Sequence, residues 1–167
     1  MEYLLTERCF GNEEGQLSSE KPAALVVDAN DQSRESIVRA LEQERYFVTA
    51  TSSGSGTFAI LEQKRFALVL IDLDLEGALD GISLYDLICQ SGLGEKSAIV
   101  FISPEQLSPR LSAFLERTDR PCLRRPFSEL DCAYLARNVL RQAHIQALDR
   151  LRANVSAPYV LGQESIL

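Results

Sequence analysis

Short, nearly unbroken apolar runs alternate along this chain with longer stretches in which apolar residues recur every three or four positions. The runs are Ala23–Asp28, Tyr46–Ala50, Ala67–Asp72, Ala98–Ser103 and Pro121–Arg124. Continuous apolar runs of this kind read as strands buried on both faces, as in parallel sheets. Between them Gln32–Glu44 carries Ile37, Val38 and Leu41 at helical spacing, and Thr57–Lys64 follows a Gly54/Gly56 loop as a second helix. Gly81–Cys89 and Pro109–Glu116 are the third and fourth predicted helices, and a long helix runs from Ser128 towards Asn154. Ser128 and Asp131 form a capping-box pattern at its start, satisfying the free N–H groups of the first turn. Five uninterrupted βα repeats predict a doubly wound α/β fold, a five-stranded parallel sheet with helices on both faces.

The pattern also divides the chain. Residues 1–21 are polar and acidic, with Glu2, Glu7, Glu13, Glu14 and Glu20, and read as a flexible tail in which Tyr3, Leu4 and Leu5 are available to dock. Residues 22–143 hold the repeats. Residues 144–167 read as a helical extension and a flexible end. Leu130, Leu140, Leu148, Leu151 and Val155 carry an apolar stripe along the last helix. Such a stripe either packs back on the sheet or pairs with a partner helix, so a homodimer through this helix is one expectation.

The net charge of −7 argues against a general nucleic-acid surface, which needs clustered positive charge. Arg117, Arg120, Arg124, Arg125, Arg137, Arg141, Arg150 and Arg152 do gather late, and read as a solvated face, with a patch for an acidic partner as the alternative. Cys9, Cys89, Cys122 and Cys132 show no metal-ligand spacing and suit a reducing compartment, two or three of them as small core residues. His144, the only histidine, is expected at the surface or in packing. No segment approaches the length of a membrane span and no signal pattern opens the chain; the expectation is a cytoplasmic protein with no membrane partner.

The chemistry lies at the strand ends. Asp28, Asp72 and Ser103 close three predicted strands, and Arg125 follows the fifth. In open parallel sheets the carboxyl ends of the strands converge on one edge, where functional groups sit. Bland roles compete for these residues. Ser103-Pro104-Glu105-Gln106 has the pattern of a helix start, as does Ser108-Pro109; Asp31 suits an N-cap; Arg125 could pair with Asp28 or Asp72 and neutralise a carboxylate cluster.

With these residues in order, residues 22–143 resemble the receiver domain of bacterial two-component response regulators. The matching segments are Ala24-Leu-Val-Val-Asp-Ala-Asn30, Leu70-Ile-Asp-Leu-Asp74, Ile99-Val-Phe-Ile-Ser103 and Leu123-Arg-Arg-Pro-Phe127. The resemblance implies a flavodoxin-like sheet of order 2-1-3-4-5, with Asp72 as phosphoacceptor and Ser103 contacting a phosphoryl oxygen. It further implies Mg²⁺ held by Asp28, Asp72 and the backbone of Asp74, a cis-proline after the fifth strand, and switch positions at Ser103 and Cys122. The partners it implies are a histidine kinase, a phosphotransfer protein or an output protein.

The chain departs from the family pattern at several of these places. Ala29 stands where a second acid ligates Mg²⁺, and a methyl group offers a hard cation nothing. Pro104 lacks the N–H that contacts the phosphoryl group, Arg125 replaces a lysine, Cys122 replaces an aromatic residue, and one extra residue separates Asp72 from Asp80-Gly81. Losing one preorganised donor to a transferring group costs about 2.7–4 kcal/mol. The expectation is therefore a receiver-like module acting by protein–protein contact, with weak Mg²⁺ binding, impaired or absent phosphorylation of Asp72 and no catalytic residue. Two alternatives remain. One is a competent phosphoacceptor; the other is a haloacid-dehalogenase-type phosphohydrolase with Asp72 as nucleophile and Asp74 as acid/base, which lacks the downstream acidic pair that family needs.

Overall fold

The computed structural model describes residues 21–155, with five strands and five helices in strict alternation. The strands are β1 (Ala23–Val27), β2 (Phe47–Thr51), β3 (Leu68–Asp72), β4 (Ala98–Ser103) and β5 (Cys122–Arg124). The helices are α1 (Asp31–Gln43), α2 (Gly54–Gln63), α3 (Gly81–Ser91), α4 (Pro109–Thr118) and α5 (Glu129–Val155). The sheet is parallel throughout and ordered β2-β1-β3-β4-β5, the predicted flavodoxin-like arrangement. The expectations for the acidic tail, Cys9 and residues 156–167 lie outside the described residues, as do those for the side chains of Leu151 and Val155.

The apolar runs are continuous because the sheet is covered on both sides. Successive side chains of a strand point to opposite faces. Leu25, Val27, Val69, Ile71, Ile99 and Phe101 enter the layer shared with α2, α3 and α4. Their neighbours Ala24, Val26, Leu68, Leu70, Val100 and Ile102 enter the layer shared with α1 and α5. Each large side chain fully buried in this way stabilises the fold by about 1.5–3 kcal/mol.

Helix starts account for most differences from the sequence reading. Asn30, not Asp31, caps α1, its side chain accepting from the Ser33 amide at 2.8 Å; Asp31 lies in the first turn and pairs with Arg34. The Gly54/Gly56 segment, expected as a loop, belongs to α2, because Ser53 caps it and accepts from the Gly56 amide. Ser108 caps α4, so Ser103-Pro104 does not start a helix. The Ser128–Asp131 capping box forms as expected, with bonds of 2.8 and 3.2 Å between each backbone amide and the other side chain. Of the cysteines, Cys132 is buried, Cys122 partly buried and Cys89 exposed. His144 is exposed on α5.

Gly81 fixes how closely α3 approaches the end of β3. A Cβ there would lie 2.2 Å from the Asp72 carbonyl oxygen and 2.7 Å from the Leu73 Cα, both backbone atoms with little room to yield. Gly81→Ala is expected to cost about 1–3 kcal/mol, the usual range for overpacking. Chemical denaturation measures it, and a loss below half a unit would mean that α3 slides freely.

Candidate functional site

The ladder carries one residue past β1 and β5, through Asp28 N–H to the Thr51 carbonyl at 3.2 Å and Arg125 N–H to the Ser103 carbonyl at 3.0 Å. Alternation therefore continues into the site. Asp28, Asp72 and Arg125 follow Val26, Leu70 and Leu123 on the α1/α5 side of the sheet. Ser103 follows Ile99 and Phe101 on the other side. Hydrogen bonds join three of the four expected residues, Asp28, Asp72 and Arg125, and Ser103 takes no part in them.

The three are tied together by Arg125. Its Nη2 donates to Asp28 Oδ2 at 2.7 Å and to Asp72 Oδ2 at 3.3 Å, and its Nη1 donates to Asp72 Oδ1 at 3.0 Å. Asp28 is fully buried and Asp72 nearly so, while Arg125 retains a quarter of its exposure and lies 5.9 Å from the Phe127 ring centroid. The Arg125–Pro126 peptide is cis, as the resemblance implied. Backbone donors hold the acids from behind, the Asn30 amide on Asp28 Oδ1 at 2.9 Å and the Asp74 amide on Asp72 Oδ1 at 3.0 Å.

Two further side chains escaped the sequence reading. Ser33 in the first turn of α1 donates to Asp28 Oδ2 at 2.6 Å and accepts from Arg125 Nη2 at 3.1 Å. Arg34 donates from Nη1 to the Asp28 carbonyl at 2.7 Å. The only available signal was position, since the first turn of the helix after β1 faces the strand end and Ser33 stands five residues beyond Asp28.

Burial sets the electrostatics. It raises the Asp72 carboxyl above its ordinary 3.8; the Asp74 amide and Arg125 oppose the rise, and the Asp28 charge adds to it. At the exposed helix starts the opposite holds. Amide and hydroxyl donors, Ser83 on Asp80 and Ser128 on Asp131, hold both carboxyls below the usual range. Side-chain carboxyl NMR across an acid titration is expected to show Asp80 and Asp131 protonating well after Asp72 as the pH falls. The reverse order would contradict this electrostatic assignment.

Ser103 is fully buried, and among the described residues its Oγ has no hydrogen-bond partner. The Cys122 thiol is near enough to feel that hydroxyl without satisfying it; burial pushes the thiol up, and Ser103 and Arg124 draw it partly back.

The set present does not suit Mg²⁺. Three of the four carboxylate oxygens of Asp28 and Asp72 are held by the Arg125 guanidinium. The Ala29 side chain contributes no oxygen. Among the described residues, no group of three or more His, Cys, Asp or Glu side chains is placed to hold a metal ion.

Comparison with known proteins gives the family. The response regulator receiver domain family matches residues 24–132. Among solved structures, the signal receiver domain of a putative Luxo repressor protein from Vibrio parahaemolyticus is 18% identical with a TM-score of 0.66, covering 77% of this chain and 96% of that one. A CheY-like receiver domain protein from Methanospirillum hungatei JF-1 is 20% identical with a TM-score of 0.67, covering 76% and 99%. NtrX from Brucella abortus is 21% identical with a TM-score of 0.70, covering 87% of this chain but 32% of that one. A comparison with curated proteins found no match. The chain belongs to the response regulator receiver domain family, the signalling modules of two-component systems. That membership sets aside the phosphohydrolase alternative. Among the described residues no helix is long and apolar enough to cross a membrane.

Proposed function

We propose that this receiver domain signals by protein–protein contact with phosphorylation of Asp72 impaired, meeting a kinase, phosphotransfer or output protein in the cytoplasm. The observation that carries the reading is Arg125 bridging Asp28 and Asp72. A carboxylate attacking a phosphoryl donor needs a free oxygen and positioned positive charge around the transferring group. Here the available positive charge is already bound to the nucleophile itself. Asp72 is also buried, so a donor reaches it only after the guanidinium swings away. The buried Ser103 hydroxyl, without a partner among the described residues, favours a second reading, a competent acceptor, in which a phosphoryl group on Asp72 reaches across the sheet edge to it.

Acetyl-phosphate labelling with and without Mg²⁺ separates the two. In the first reading the protein labels at least about a hundredfold more slowly than an Ala29→Asp/Arg125→Lys variant, which regains a metal ligand and frees Asp72. Stoichiometric, Mg²⁺-dependent labelling of the unmodified chain, lost in Asp72→Asn, would establish the second reading instead.

A further inference from the structure

Helix α5 carries a line of side chains that the domain leaves uncovered. Leu130 is 78% and Tyr134 69% exposed, and Ile145 and Leu148 are exposed further along. With Arg141 between the two pairs, these positions fall on one narrow stripe of a helix with 3.6 residues per turn. Leu135, Val139 and Leu140 still pack on the core. From Arg141 onward every described side chain is exposed, so the helix leaves the body at that point. A free helical end of this length is marginal in water unless its apolar face is covered. Among the described residues the cation in the stripe meets no carboxylate, and the Arg141 side chain bonds to the neutral Asn138 at 2.8 Å.

We infer that the stripe is covered by residues 1–20 of the same chain. Three observations point there. The segment complements the stripe: it carries Tyr3, Leu4, Leu5 and Phe10, and five glutamates (Glu2, Glu7, Glu13, Glu14, Glu20) against one arginine, Arg8. It also departs from the right place. The Pro22 carbonyl accepts from the Phe47 amide at 2.9 Å, the adjacent Tyr46 hydroxyl donates to the Ala136 carbonyl at 3.4 Å, and Arg137 pairs with Glu44 at 2.8 Å. The segment therefore leaves the body at the sheet edge that faces the first third of α5, at Ala136 and Arg137. Finally, it is long enough. Twenty extended residues reach about 65–70 Å, whereas Leu130 to Leu148 span about 27 Å of helix. A second copy of the chain suits the stripe less well. Two stripes laid together in parallel register set Arg141 against Arg141 of the other copy, and like charges in contact repel.

Hydrogen exchange of the full chain at low salt tests whether residues 1–20 cover the stripe. Peptides covering residues 2–10 are expected to exchange about tenfold more slowly than a free chain. Arg141→Glu, or Ile145→Ser with Leu148→Ser, should return them to the free-chain rate while the β3 peptide keeps its protection. Glu13→Arg with Glu14→Arg should restore protection in the Arg141→Glu background. Free-chain exchange in the unmodified protein overturns the inference. So does protection that grows with protein concentration alongside a dimer mass in sedimentation, which would assign the stripe to a second copy.

Discussion

Replacing Arg125 with methionine is expected to lower the unfolding free energy by about 3–5 kcal/mol at neutral pH, the range found when one partner of a buried ion pair is removed. The reason is local. Asp28 and Asp72 are both buried at one strand edge, and Arg125 supplies the charge that lets them ionise side by side. Methionine fills much of the volume but leaves two carboxylates facing each other in a medium that screens them poorly. The effect has a definite pH signature. Asp72 already titrates above 3.8 in the folded protein, so protonation favours the folded state as the pH falls through that raised value. Removing Arg125 raises Asp72 further, so the loss is largest where the variant's Asp72 is ionised and shrinks as the pH falls from the variant's value towards that of the unmodified protein. Urea denaturation at several pH values measures the profile. Adding Asp28→Asn and Asp72→Asn to the same variant should recover most of the stability. A flat profile, or no recovery, would mean that Arg125 acts by packing alone.

Phe101→Ala is the second large effect, also about 3–5 kcal/mol. Phe101 is fully buried in β4 and sits against two aromatic rings, Tyr85 of α3 edge-on at 5.1 Å and Phe114 of α4 tilted at 5.1 Å. Tyr85 and Phe114 meet each other edge-on at 5.6 Å, so one ring joins the sheet to both helices of that face. Removing it leaves a cavity that two helices anchored to separate loops cannot easily close. The midpoint of thermal unfolding should fall by about 6–20 °C in calorimetry. Phe47→Ala, at an exposed ring, should stay within about half a kcal/mol and serves as the control. Equal losses in the two variants would show that the aromatic trio contributes nothing special.

Much of the fold was legible because buried parallel strands write a continuous apolar run. β4 was read to its last residue, and β3 to within one residue of its start. Helix starts were less legible, because Asn30, Asp31, Ser53, Ser103 and Ser108 all have side chains able to cap. A pattern names capable residues, and backbone geometry selects among them. Asn30, Ser53 and Ser108 are selected because their backbones are extended where an amide of the first turn comes within reach of the side chain. Tyr46 was read as the first residue of β2, yet it precedes the strand and turns its hydroxyl towards α5.

The sequence by itself determined the alternation of elements, the sheet class and the placing of Asp28, Asp72, Ser103 and Arg125 at strand ends, since each follows from local period and order. Only the tertiary structure decided how those four relate. Side-chain alternation past the strand ends sends Asp28, Asp72 and Arg125 to one side of the sheet and Ser103 to the other. The packing of α1 then brings Ser33 into the cluster. Whether Arg125 pairs with Asp28, with Asp72 or with both depends on distances between residues up to 97 positions apart in the chain, and no local pattern encodes them. A guanidinium with two parallel donors at the end of a short edge strand reaches both carboxylates because the sheet holds β1 and β3 side by side.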